Sequence, residues 1–263
     1  MDPITLSRRD ENVLEKMKDP ESDPSTSILV DSTLPKDPNV TEPSIYERVS
    51  KREKDIVLSM QQLEMQLAGI KVLRSVQDPV QEYAACVSHL GELISEFPNY
   101  ASARNNRAQA LRRLHGDKLL SKVLDMQALK QDASNEERAQ AAITLLGDLD
   151  EAISLLTPKS VFGSISPVAG RTLSLAHTQR GAIYHMTAKS ASAERQDLGE
   201  RREAVWSIVD FETAASRDFA LGGKYGNDIA KGLAVATNPT AKLCGQMVRE
   251  AMKKEYGPAF EGL

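Results

Sequence analysis

The chain has 263 residues, 41% of them hydrophobic, enough to bury the core of one large or two ordinary domains. Its formal net charge of -4 sits wholly in residues 1 to 55, where 13 acidic side chains face 9 basic ones, leaving 24 of each in the remainder. A balanced body offers no strong field for nucleic acid or an anionic membrane, and no apolar run approaches the roughly 18 residues of a membrane span, so neither is an expected partner.

The N-terminal sequence MDPITLSRRDEN lacks a signal-peptide core, which predicts a cytoplasmic or also nuclear protein. Aromatic residues make up 5% of the chain, and Ala, Leu, Gln, Glu, Arg and Lys are abundant, so the expected fold class is all-α. Six of the twelve prolines (Pro3, Pro20, Pro24, Pro35, Pro38 and Pro43) fall among Ser, Thr, Asp and Lys, which predicts a disordered acidic tail over residues 1–43. Ser44-Ile45-Tyr46-Glu47 is a capping-box pattern and places a helix start at Ser44, with a break before Gln77.

Beyond that break, internal repetition dominates the chain. Tyr83, Cys86, Val87, Leu90, Leu93, Ile94 and Phe97 recur at the intervals of one helical face, and Ala142, Leu145, Leu146, Leu149, Ala152, Ile153 and Leu156 reproduce them. A weaker third copy runs Ala204, Ser207, Ile208, Phe211, Ala214 and Ala215, with Asp218 breaking the stripe. Each copy comes after a helix with a small residue at its centre: Met65, Ala68, Gly69, Val72, then Arg104, Arg107, Ala108, Leu111, then His177, Arg180, Gly181, Tyr184. Small residues let two helices approach closely, so the pairs are predicted to be antiparallel hairpins.

These pairs resemble the tetratricopeptide repeat, with a small residue near position 8 and the prolines of Phe97-Pro98-Asn99 and Thr157-Pro158 near position 32. The expected repeats are about 60–99, 100–158 and 171–221, within a domain of 44–250 that ends in a capping helix and a tail of 251–263. Within a repeat the small residue and its partner should lie about 16 apart, yet Ala108 to Leu149 is 41 and Gly181 to Phe211 is 30. Residues 118–138 and 187–200 are therefore insertions, either loops or helix extensions. Asn105-Asn106-Arg107-Ala108-Gln109-Ala110, Gln179-Arg180-Gly181 and Asn238-Pro239-Thr240-Ala241-Lys242-Leu243-Cys244-Gly245-Gln246-Met247 occur in the order found in the tetratricopeptide repeat protein 36 family, which the chain resembles. Thr240 and Gly245 depart from the Tyr and Asn of that family's C-terminal motif.

The resemblance implies a three-repeat superhelix of stacked hairpins without catalytic activity or cofactor. It also implies a protein partner, a chaperone or a metabolic enzyme, and a link to tyrosine breakdown. In such a superhelix the first helices line a concave groove for a peptide or protein. The groove residues are expected to be Ser102, Asn105, Asn106, Gln109, Arg113, Thr178 and Gln179, whose amides can hold a peptide backbone while Arg113 holds a carboxylate. A chaperone carboxylate clamp is disfavoured. Only Asn106 matches it, and Gln66, Ile70, Leu175 and Gln179 supply no cations where a buried carboxylate needs them.

Other chemistry is weaker. His177 and His185 are eight apart and cannot share an ion, so no metal site is expected. Leu221-Gly222-Gly223-Lys224-Tyr225-Gly226 lacks a preceding strand and a subsequent Gly-Lys-Ser/Thr, so it is a helix stop rather than a phosphate loop. Asp148, Asp150 and Glu151 are expected on a solvated helix face, Trp206 in the core, and Cys86 and Cys244 as buried free thiols. The leading reading is a binding module, ahead of a structural subunit that assembles through residues 118–138, with an enzyme third.

Overall fold

The computed structural model describes residues 28–70, 78–160, 163–190 and 193–256, and all regular structure among them is helical. The first hairpin pairs α1 (Pro43–Leu67) with α2 (Pro79–Glu96), the second α3 (Ala101–His115) with α4 (Asn135–Leu156), and the third α5 (Pro167–Lys189) with α6 (Ile208–Lys224). Two more helices follow among the described residues, α7 (Asp228–Thr237) and α8 (Pro239–Tyr256). Side chains in the preceding loops set most of the starts: Asp78, Ser134, Ser166 and Asn227 each accept a first-turn backbone N–H, and Ser207 forms a full capping box with Asp210. At α1 the expected box at Ser44 does not form. Pro43 takes the first helical position, where its missing N–H costs nothing, and Ser44 falls inside the first turn, donating to the Glu42 carboxylate.

Each helix packs on the next in sequence, and α3 also meets α1 and α5. These first helices therefore form one layer, with α2, α4 and α6 outside it. Helix α3 separates two apolar clusters. Its Ala103, Ala110 and Leu114 join Val49, Leu63, Leu90 and Leu93 of the first hairpin, while its Ala108 and Leu111 join Leu145, Leu149, Leu173 and Phe211. Gly181 explains the close approach of α5 and α6, because a Cβ there would lie 3.1 Å from the Phe219 ring and 3.3 Å from the Ala215 carbonyl.

Several boundaries move from their expected places. The pair Ala68-Gly69 ends α1, with Gly69 at φ 69°, instead of packing in mid-helix; Val72 lies outside the described residues. Ala204 sits in a 3₁₀ turn, and the third stripe continues through Phe211, Ala215, Phe219 and Gly222, with Asp218 buried within it. In the expected helix stop only Gly226 has positive φ, 101°. Gly222 and Gly223 instead admit close neighbours, since a Cβ would lie 2.6 Å from the Thr178 hydroxyl oxygen or 2.8 Å from Lys231 Cα. Helix α7 covers α6, and α8 runs on through residues 251–256; residues 257–263 lie outside the described set.

Residues 28–42, assigned from composition to the disordered tail, form a strap across the helix starts, while residues 1–27 lie outside the described set. Asp31 N–H donates to the Ile165 carbonyl (3.0 Å), Ile165 N–H to Leu29 (2.9 Å) and Ser166 Oγ to Lys36 (3.1 Å). Asp37, 4% exposed, accepts from the backbone of Asn39 and of Ala101, so it caps α3 from a distant part of the chain. The two insertions also find each other. Lys122 N–H donates to Glu194 O (2.7 Å) and Gln196 N–H to Leu120 O (3.1 Å), making one ordered, largely non-helical lobe.

Candidate binding cleft

A cleft of about 400 Å³ opens between α1, α3 and the first insertion, with Met60, Glu64, Tyr83, Gln109, Arg113 and Asp125 among its walls. Gly116 creates its floor. It ends α3 at φ 85°, and a Cβ there would lie 2.4 Å from Cβ of Asp125, so glycine alone lets the insertion turn back. The Asp125 carboxylate accepts from the N–H groups of Asp117 (2.8 Å) and Gln127 (3.1 Å), and Leu129 and Lys130 N–H groups donate to the Arg113 and Leu114 carbonyls. The end of α3 is thereby satisfied by the loop that walls the cleft.

Polar groups of both signs line it. Arg113 donates to Glu64 (2.7 Å) and to the Gln127 carbonyl (3.0 Å), and Tyr83 OH donates to the same Glu64 oxygen. Burial opposes the charge on Glu64, but the Arg113 and Tyr83 hydrogen bonds and the guanidinium charge outweigh it and hold the carboxyl below its usual range. Burial, and then Glu64, push the Tyr83 phenol upward.

The expected groove residues divide. Gln109 is exposed at the cleft and Arg113 is half-buried beside it. Asn105 and Gln179 are buried against each other, Nε2 of Gln179 donating to Oδ1 of Asn105 (2.8 Å), and so join α3 to α5. Asn106 donates to Glu53 (2.8 Å), which also accepts from Tyr100 and Ser102. Thr178 bonds the Ser174 carbonyl and accepts from Asn227. Six of the seven, Arg113 with its bonds to Glu64 and the Gln127 carbonyl included, therefore already hold protein partners.

Other expectations change with burial. Asp148 and Asp150 do not form a solvated face. Asp148 is 2% exposed and gripped by Arg107 (2.6 and 2.7 Å) and Arg104 (3.2 Å), and Asp150 pairs with Arg180 and Arg201. Asp218 takes two bonds from Arg180, both 2.7 Å, and one from His177 (2.8 Å), which outweigh burial and keep its carboxyl below the usual range. Part of this is written in the sequence: Arg107 and Arg180 each precede the small residue of their helix and Asp148 precedes Leu149, but Asp218 precedes Phe219 rather than Phe211, which periodicity matches to Leu149. Cys86 is buried, but Cys244 is exposed on α8. Trp206 is partly buried between Tyr184 and Phe211.

The L-tyrosine degradation gene cluster protein hmgX of Aspergillus fumigatus is 36% identical over 256 residues, covering 95% of this chain and 93% of that protein. Tetratricopeptide repeat protein 36 of Danio rerio is 29% identical over 204 residues, covering 78% and 76%. The protein of the same name from Xenopus tropicalis is 29% identical over 190 residues, covering 72% and 63%. No family model matches the chain, and no solved structure does.

Proposed function

The chain belongs to the family of hmgX and tetratricopeptide repeat protein 36, and on that premise we propose that it is a non-catalytic adaptor that holds a protein partner against the layer formed by α1, α3 and α5. The observation that carries the reading is the cleft walled by Glu64, Gln109, Arg113 and Asp125. Its donors and acceptors of both signs suit an extended peptide, whose backbone offers both, better than a single small ion. The name of the fungal relative directs the choice of partner to an enzyme of tyrosine degradation, and the cytoplasm is the corresponding compartment. Among the described residues no helix is long and apolar enough to cross a membrane.

Of the seven groove residues, Gln109 and Arg113 are assigned to the partner. Ser102, Asn105, Asn106, Thr178 and Gln179 are assigned to shaping the wall through their bonds to Glu53, to each other and to Asn227. The test is binding of purified tyrosine-degradation enzymes to the wild-type chain and to a Gln109→Ala, Arg113→Ala double variant. Weakening by about tenfold or more, the loss of roughly 1.4 kcal/mol, supports the cleft. Unchanged affinity for an enzyme that binds the wild type would overturn the site. If the double variant keeps that affinity and deletion of residues 118–134 abolishes it, the insertion lobe is the interface, which is the structural-subunit reading.

A further inference from the structure

Charge is not balanced inside the cleft. Glu64, Asp117 and Asp125 place three carboxylates on its walls against the two guanidiniums of Arg112 and Arg113. Arg113 is matched by Glu64 (2.7 Å) and Arg112 by Asp117 (2.8 Å), so the charge left over is that of Asp125. This carboxylate is 9% exposed, and among the described residues it has no ion-pair partner. Its two donors are the N–H groups of Asp117 and Gln127, one on each oxygen, whereas a carboxylate can accept about four bonds. The cations of the same lobe are engaged elsewhere. Arg138 holds the carbonyls of Ser121, Lys122 and Val123, and Lys130 pairs with Glu137. A carboxylate that is nearly buried, half satisfied and part of a cleft wall is a place where an incoming cation is strongly held, because little water screens it.

The other walls fit the stem of such a cation. Met60 and the Tyr83 ring supply apolar surface, along which long basic side chains lay their methylene groups while the charged head reaches a polar site. Gln109 offers its amide to a peptide backbone, and the Arg113 N–H groups not bonded to Glu64 or Gln127 can meet peptide carbonyls. An acidic segment would have to break the Arg112 and Arg113 ion pairs and would still leave Asp125 unmatched.

We propose that the cleft takes a lysine or arginine side chain from an extended segment of the partner, with the cationic head at Asp125 and the stem against Met60 and Tyr83. The inference rests on the cleft being the partner's seat and adds what that seat selects.

The test is a titration of the full chain with acetylated, amidated five-residue alanine peptides, read from the backbone amide NMR signals of Asp117 and Gln127. The central residue is arginine or lysine, or its uncharged counterpart, citrulline or norleucine. The charged peptides should bind about tenfold or more tightly than their counterparts, and Asp125→Asn should remove that preference. Asp125→Asn also takes an acceptor from the loop at the end of α3, so a Glu64→Gln, Asp117→Asn double variant provides the second arm. It keeps Asp125 and its backbone bonds, leaves one carboxylate against two guanidiniums, and should abolish the preference as well. A preference kept by either variant would overturn the proposal, and so would failure of the charged peptides to bind. Equal binding of charged and uncharged peptides that moves the same amide signals would overturn the selection of a cation while leaving the cleft as a peptide seat. Binding of the enzymes to the Gln109→Ala, Arg113→Ala variant tests the seat itself, so the two failures are separable.

Discussion

Arg107 and Arg180 occupy matching positions in successive hairpins, and each grips an aspartate buried on the outer helix. A buried carboxylate without a partner is costly, so removing the arginine does more harm than the pair's net contribution implies. Arg180→Met should therefore destabilise the fold by about 3–5 kcal/mol in urea unfolding, because Asp218 keeps only His177. A loss below about 1 kcal/mol would show that the pair does not hold the third hairpin. Glu53 is the opposite case. Burial raises its carboxyl pKa, against the bonds from Tyr100, Ser102 and Asn106, and nearby Asp37 raises it further. A raised carboxyl contributes stability that is full below the unfolded value of about 4.3 and is lost as pH rises through the folded value. Glu53→Gln should thus raise Tm relative to wild type more at pH 8 than at pH 4.5. Equal differences at the two pH values would remove burial of the charge as the cause. Periodicity alone could not reveal such groups, since Asp148 and Asp218 read as polar interruptions until the arginine that neutralises each is placed beside it.

The insertions show the same limit in whole elements. The intervals from Ala108 to Leu149 and from Gly181 to Phe211 reveal that extra chain is present, yet nothing in either segment says that it pairs with the other. Their contacts run through backbone groups, which every residue carries and no side chain advertises. The organiser is Arg138 at the start of α4, 2% exposed, which donates to the carbonyls of Ser121 (2.8 Å), Lys122 (3.0 Å) and Val123 (2.8 Å). Replacing it with Ala leaves three acceptors without their charged donor. Arg138→Ala should speed hydrogen exchange at residues 119–123 and 194–196 by about tenfold or more, with α1 and α2 unaffected. Lys at this site should restore only part of the protection, because one compact ammonium cannot reach three carbonyls as a planar fork does. Uniform acceleration throughout the chain would mean that Arg138 holds the fold rather than the lobe. The hairpins themselves were legible because they are local, each apolar face being written at helical spacing in one stretch of sequence.

In a stacked-repeat molecule each hairpin normally meets only its neighbours, and stability is close to a sum of local terms. The strap alters this, because it leaves the start of α1, passes the start of α3 and bonds to the chain just before α5, so the first and third hairpins share a direct connection. Leu90, 0% exposed in the first cluster, and Trp206, beside Phe211 at the third hairpin, report on the two ends. Leu90→Ala should cost about 2–5 kcal/mol. With the strap in place it should lower the urea midpoint seen by Trp206 fluorescence as well as that seen by circular dichroism. Adding Asp31→Pro removes the N–H that bonds the Ile165 carbonyl and loosens the strap. The Trp206 midpoint should then return towards that of the wild type, while circular dichroism shows an earlier partial loss as the first hairpin melts alone. If Leu90→Ala leaves the Trp206 midpoint unmoved in the unaltered strap, the two ends unfold independently and the strap is only a covering. Coincident transitions in the double variant would instead assign the coupling to α3, which both clusters share.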